Sequence, residues 1–194
     1  MNSDNELEQI ATIASNWWSS IISKPKCKPT NNIQQTIIKA LAETAITNIN
    51  EQDLSNFNEE LKQYIFQRLK DQGDLYPYMI LGCDYGPDTT LKGFADKNNI
   101  SELCFPWKTV MEIGKNYCGV ACGYGAPKEV LYANEDYYDR QAFDYKSQLD
   151  YLNSDLADSD DYRFISRETL ISDIQNKYDE AIKKLNSIRK DNAE

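Results

Sequence analysis

The hydrophobic period of this chain changes near Gly73, and that change constrains the fold more than any other feature. Before it, apolar residues recur at steps of three and four; after it, short β-rich runs are broken by Gly, Pro and Asp. The upstream pattern predicts three amphipathic helices. The first covers residues 3–22, with Ser3 and Glu6 as a capping box. Leu7, Ile10, Ala14, Trp17 and Ile21 form its stripe, with Ala11, Trp18 and Ile22 beside them. The paired tryptophans read as core. KPKCKPT then breaks the helix with two prolines. A second helix runs from Asn32 to Asn48 on Ile33, Ile37, Leu41 and Ala45, widened by Ile38, Ala42 and Ile46. A third runs from Asp53 to Asp71 on Leu54, Phe57, Leu61, Ile65 and Leu69, with Gly73 as its C′ residue.

Downstream of Gly73 the pattern predicts a small, mostly antiparallel sheet carrying one helix. A strand is expected near residues 76–82, then a DYGPDTT turn, then a helix over 89–98 capped by Asp88. ELCFPWKT reads as extended, because Pro106 restricts its neighbour. VMEIGKNYCGVAC reads as a hairpin turning at Gly114, Lys115 and Asn116, and KEVLYA as the last strand. The final third returns to helical spacing: one tyrosine-rich helix from Glu135 to Leu152, a loop at SDLADSDD, and a helix from Ser166 onward. In that last helix Ile171, Tyr178 and Leu185 are seven apart, as are Ile174, Ala181 and Ile188. This seam of fewer than three heptads packs either on its own domain or on a second copy. The fold class is therefore α+β: N-terminal helices and a small sheet over 1–133, C-terminal helices over 134–194.

Composition narrows the chemistry. The 194 residues contain no histidine, which removes the commonest general base, the Ser–His and Cys–His pairs and the commonest metal ligand. Thirty-one acids against 21 bases give a net charge of −10. Such a surface repels nucleic acid and anionic membranes and attracts basic proteins. No run is apolar and long enough to span a bilayer, and MNSDNELEQ lacks the basic start and apolar stretch of a signal peptide, so a cytoplasmic location is expected.

The glycine-rich stretch YCGVACGYGAPKEVLY does not fit a phosphate cradle. GYGAPKEV lacks Ser or Thr after its lysine, proline removes one amide, and a strand follows rather than a helix. Gly123-Tyr-Gly125 lacks the third glycine of a dinucleotide fingerprint. These glycines read as a turn or bulge. Cys118 and Cys122 have zinc-like spacing, and Cys83 and Cys104 would complete four sulfurs, but no second close pair exists. Small apolar core roles suit them better, Cys27 makes the count odd, and no metal or other cofactor is expected. Asp84, Asp88 and Glu112 near the sheet turns are candidate Mg²⁺ ligands whose plainer reading is solvated turn residues.

The acidic segment after Asn134 is the candidate binding surface. Glu135, Asp136, Asp139, Asp144, Asp150, Asp155, Asp158, Asp160 and Asp161 face only Arg140, Lys146 and Arg163 before Phe164. Tyr137, Tyr138, Tyr145, Tyr151 and Tyr162 are interleaved. Carboxylates at helical rise approach phosphate spacing, and tyrosine offers rigid contact area at low entropic cost. Such a surface suits the basic channel of a nucleic-acid-binding protein. Its plainer reading is a solvated helix with half-buried tyrosines.

The order of features over residues 10–132 carries a family resemblance. A WW helix and lysine–proline break lead to LGCDYGPDTTL, FPWKTVMEI and GYGAPKEVLY. This order resembles that of small proteins from phages and mobile elements of gut Firmicutes, and is similar to type II anti-CRISPR proteins, inhibitors of RNA-guided DNA nucleases. The resemblance implies a non-enzymatic inhibitor that binds such a nuclease or its guide-RNA complex as an acidic DNA mimic. It transfers no catalytic residue, and the acidic segment lies outside it. Two other classes remain: a phage structural or assembly protein dimerising through Ile171, Ile174, Tyr178, Ala181, Leu185 and Ile188, and a metal-dependent enzyme using carboxylates or cysteines.

Overall fold

A computed structural model describes residues 4–24, 33–71, 78–154 and 165–191. Within them the chain is α+β, with six α-helices and one four-stranded sheet. It divides into two compact units, Met1–Tyr132 and Ala133–Glu194. The first unit holds α1 (Asp4–Ser23), α2 (Ile33–Thr47), α3 (Glu51–Asp71), β1 (Tyr78–Cys83), α4 (Thr89–Lys97), β2 (Thr109–Gly114), β3 (Tyr117–Cys122) and β4 (Glu129–Ala133), whose last residue falls across the division. The second holds α5 (Glu135–Leu152) and α6 (Arg167–Asp191).

The helical stripes become the core. α1 buries Leu7, Ile10, Ala11, Ala14, Trp18 and Ile22, and α3 buries Phe57, Leu61, Ile65 and Leu69. The two helices run antiparallel, tied at their surfaces by Lys70–Asp4 at 2.8 Å, Lys62–Glu8 at 3.1 Å and Asn58–Asn16 at 2.9 Å. These exposed pairs hold register and contribute little energy. The apolar faces do the stabilising, at about 1.5–3 kcal/mol per fully buried large side chain. Of the tryptophan pair, Trp18 is fully buried and Trp17 packs edge-on against it, half-buried, with ring centroids 5.1 Å apart.

The sheet is a meander in the order β1-β2-β3-β4. β1 and β2 pair antiparallel from Tyr78↔Gly114 to Cys83↔Thr109, and β2 and β3 from Thr109↔Cys122 to Gly114↔Tyr117. The period-2 rule sends Leu81, Cys83, Thr109, Met111, Ile113, Cys118 and Val120 to the buried face. Tyr78, Ile80 and Val110 lie on the other face, which stays largely open. There Tyr117 lies along its own strand across Gly119, where an added Cβ would collide with the Tyr117 hydroxyl.

Two sequence expectations need correction, and others fall outside the described residues. ELC is not extended: Glu102–Cys104 forms a 3-10 turn, because Ser101 Oγ accepts the Leu103 N–H at 3.3 Å and Cys104 turns into the core. The extended backbone begins at Phe105. Cys122 is exposed at the end of β3, whereas Cys83, Cys104 and Cys118 are buried. The Ser3 cap, the Gly73 terminus, Cys27 and residues 76–77 of the first strand lie outside the described residues.

Candidate interaction surfaces

The second unit is a helical hairpin. Asn134 starts α5 by accepting the Tyr137 N–H at 3.3 Å, and Glu135 and Asp136 in the first turn complement the helix dipole. At the other end Arg167 donates from Nε to the Leu152 carbonyl at 2.7 Å and from Nη2 to the Leu152 and Ser154 carbonyls, neutralising the C-terminus of α5. Inside the hairpin Leu149, Leu152 and Ile174 form a cluster joined by Tyr145, Leu170, Ile171 and Tyr178. Ala181 and Leu185 are buried too, and Ile188 is half-buried. Ile171, Ile174 and Tyr178 of the heptad seam thus pack within their own unit, in one cluster with Leu149 and Leu152 of α5.

The tyrosines of α5 divide by face. Tyr137, Tyr138 and Tyr145 are half-buried, and only Tyr151 is exposed. Burial, with the Glu180 carboxylate nearby, raises the Tyr138 phenol above its ordinary range. Glu135 and Asp139 converge on Arg189, at 2.6 Å and 3.5 Å. Asp136, Asp144 and Asp150 are exposed and make no ion pair among the described residues. Asp155, Asp158, Asp160, Asp161 and Tyr162 lie outside the described residues.

Sequence reasoning missed Phe143. It is 69% exposed, and Asp136, Phe143 and Asp150 are seven apart, so they follow one line along α5. Asp139 lies on the same side. The outer face of α5 therefore carries Asp136 and Asp150 on either side of an exposed phenylalanine, with the exposed Arg140 and Lys146 between them and the ring. A heptad on the solvent side was the available signal, hidden by the tyrosines around it.

A second surface forms at one end of the sheet, where β1 and β3 finish and β2 begins. Three loops meet there, and backbone bonds lash them together. The Lys108 N–H donates to the Asp84 carbonyl at 3.0 Å, and the Gly123 N–H donates to the Lys108 carbonyl at 2.7 Å. Asp88 folds the first loop back: its carboxylate accepts the N–H groups of Gly82 at 2.6 Å and of Thr90 and Leu91 at 2.9 Å each. Phe105 anchors the second loop, its ring centroid 6.2 Å from Trp18 and 6.1 Å from Phe57. Gly123 and Gly125 turn the third at φ +110° and +64°.

The side chains carried by these loops form a cluster around Lys108. That residue itself has φ +53°, an unusual conformation for a side chain of its size. Its ammonium lies 3.6 Å from the Tyr85 ring centroid and 4.4 Å from that of Tyr124, and pairs with Asp84. Trp107 meets Tyr85 edge-on at 6.3 Å. Tyr85 and Tyr124 are 71% and 79% exposed. A hydrogen bond from Lys108, then one from Tyr85, holds the Tyr124 phenol below its ordinary range; donating to Tyr124 raises Tyr85.

The candidate metal ligands are engaged elsewhere. Asp84 pairs with Lys108, Asp88 binds backbone amides, and Glu112 binds Lys128 at 2.6 Å. Burial pushes the Cys83 and Cys118 thiols up to about 12, as expected for packed, unreactive sulfurs. Among the described residues no cluster of His, Cys, Asp or Glu could hold a metal ion, and no helix is long and apolar enough to cross a membrane. No protein-family model matches the chain, and no curated protein is similar to it.

Proposed function

We propose that this protein is a non-enzymatic inhibitor that binds a basic nucleic-acid-binding protein of the host cytoplasm through the outer face of α5. The partner implied by the resemblance over residues 10–132 is a type II RNA-guided DNA nuclease with its guide RNA. One observation carries the reading: Asp136, Phe143 and Asp150 form an exposed line, and neither carboxylate is neutralised by an ion pair among the described residues. A central aromatic flanked by charge is the arrangement of a protein-binding hot spot, in which the ring anchors and the carboxylates steer. Overall charge supports the same direction, since residues 133–194 carry fifteen acids against nine bases.

The test is a cleavage and binding assay with the guide-loaded nuclease. Asp136→Lys and Asp150→Lys together should slow association and flatten its salt dependence, and inhibition should weaken in step. Circular dichroism would check that the hairpin stays folded. Unaltered association and inhibition by a folded double variant would remove the α5 carboxylates from the mechanism, and with them the observation that carries this reading.

A further inference from the structure

The loop cluster at the sheet end presents charge in an unequal way. The Lys108 side chain is only 15% exposed, while its partner Asp84 is 70% exposed. The lysine is therefore sunk beneath the two tyrosine rings, and the carboxylate is what solvent meets. Glu102, from the 3-10 turn and close to Gly86, adds a second exposed carboxylate, which pairs with Lys92 at 3.4 Å. Lys108 already occupies one face of Tyr85 and one of Tyr124, which drains their attraction for a second cation. Trp107 is exposed, and no cation lies on its indole among the described contacts. Indole is the strongest of the aromatic cation receptors. Tyr85 holds it edge-on, and Lys108 is fixed beside it by backbone bonds on both sides.

We infer that Trp107 and Asp84 form an arginine-binding site, which takes a guanidinium from a basic protein by stacking it on the indole and pairing it with the outward carboxylate. This deepens the reading above, resting on its claim that the partner is basic, and adds a contact that α5 does not supply. Arginine fits better than lysine because its flat, weakly hydrated head can stack and pair at once. Nucleic acid fits less well, since the unburied charge beside Trp107 is the Asp84 carboxylate.

The full chain, labelled with ¹⁵N, is titrated with the peptide Gly-Arg-Gly-Arg-Gly and with its lysine and glutamine counterparts. Three tryptophans give three indole signals, and Trp107→Phe assigns the one that matters. The Trp107 signal should shift saturably with the arginine peptide, about two- to fivefold more tightly than with the lysine peptide, and not with the glutamine peptide. Asp84→Asn should weaken that response, with the other two indole signals showing that the unit is folded. An unmoved Trp107 signal, an equal response to glutamine, or tighter binding of a single-stranded oligonucleotide or an oligosaccharide would overturn the proposal. The outcome separates from that of the α5 reading: peptide binding at Trp107 with no nuclease inhibition sinks only the function above, and inhibition without any Trp107 response sinks only this site.

Discussion

Replacing Asp88 tests how the sheet-end loops are held. One carboxylate of Asp88 does two jobs: Oδ1 caps α4 through Thr90 and Leu91, and Oδ2 accepts the Gly82 N–H at the end of β1. Losing a cap costs about 1 kcal/mol, within a range of roughly 0.5–2. A hydrogen bond to a charged acceptor adds about 1.5–3 kcal/mol. The two share one side chain and do not add fully, so Asp88→Ala should cost about 2–4 kcal/mol. Asp88→Asn separates them. Its oxygen can still cap α4, but its NH₂ faces the Gly82 N–H, donor against donor, and most of the loss should remain. All three tryptophans belong to Met1–Tyr132, so indole fluorescence in a urea titration reports this unit alone. The midpoint should fall with an unchanged slope. An Ala variant within about 0.5 kcal/mol of the parent, or an Asn variant equal to it, would show that the loop is not tied down by this carboxylate.

Other outcomes follow from the same geometry. Gly119→Ala drives a methyl into the Tyr117 ring, which is buried and meets Tyr78 edge-on at 5.9 Å, so it should destabilise by about 1–3 kcal/mol. Adding Tyr117→Leu should recover part of that loss in the same urea titration, because the collision is with the phenol. Tyr124 should ionise at lower pH than Tyr85 in a ¹³Cζ titration, and Lys108→Met should return it toward the ordinary value near 10. Because its folded value is depressed, ionised Tyr124 stabilises the fold above the unfolded value. That contribution disappears as pH falls through the folded value, so neutral-pH stability should not register it.

What could be read in the sequence was whatever repeats locally. The stripes of α1 and α3 and the β2–β3 hairpin are periodic, and a periodic pattern states which face will be buried. The seam of α6 is periodic in the same way, but its period could not name its cover, because a heptad fits a neighbouring helix and a second copy equally well. Phe143 was missed although its seven-residue spacing from Asp136 and Asp150 is local: in a helix rich in tyrosine, that spacing does not say which aromatic faces solvent. The cluster around Lys108 was beyond reach. Asp84, Trp107 and Tyr124 are separated by long stretches and meet only because the strand register brings Cys83, Thr109 and Cys122 level. DYGPD, FPWK and GYGAP each look like a turn, and nothing within any one of them announces the other two.

On the inhibitor reading proposed above, the structure also changes which residue of α5 should dominate binding. Composition suggested nine carboxylates acting together, yet Glu135 and Asp139 are engaged by Arg189. Asp136 and Asp150 stand about 21 Å apart at the helical rise, more than twice the Debye length of about 8 Å at physiological salt. They therefore act as separate rim charges, each contributing roughly 0–1 kcal/mol to affinity. Burying the exposed Phe143 ring contributes about 1.5–3 kcal/mol, more than both carboxylates together. Phe143→Ala should accordingly raise the dissociation rate by about tenfold or more and barely alter association, while Asp136→Asn with Asp150→Asn should slow association and leave dissociation near the parent rate. Stopped-flow or surface-plasmon measurements on the guide-loaded nuclease at two salt concentrations would separate the two. If the asparagine pair lost more affinity than the alanine, mostly in dissociation, the carboxylates would be buried at the interface and the phenylalanine would not be its anchor.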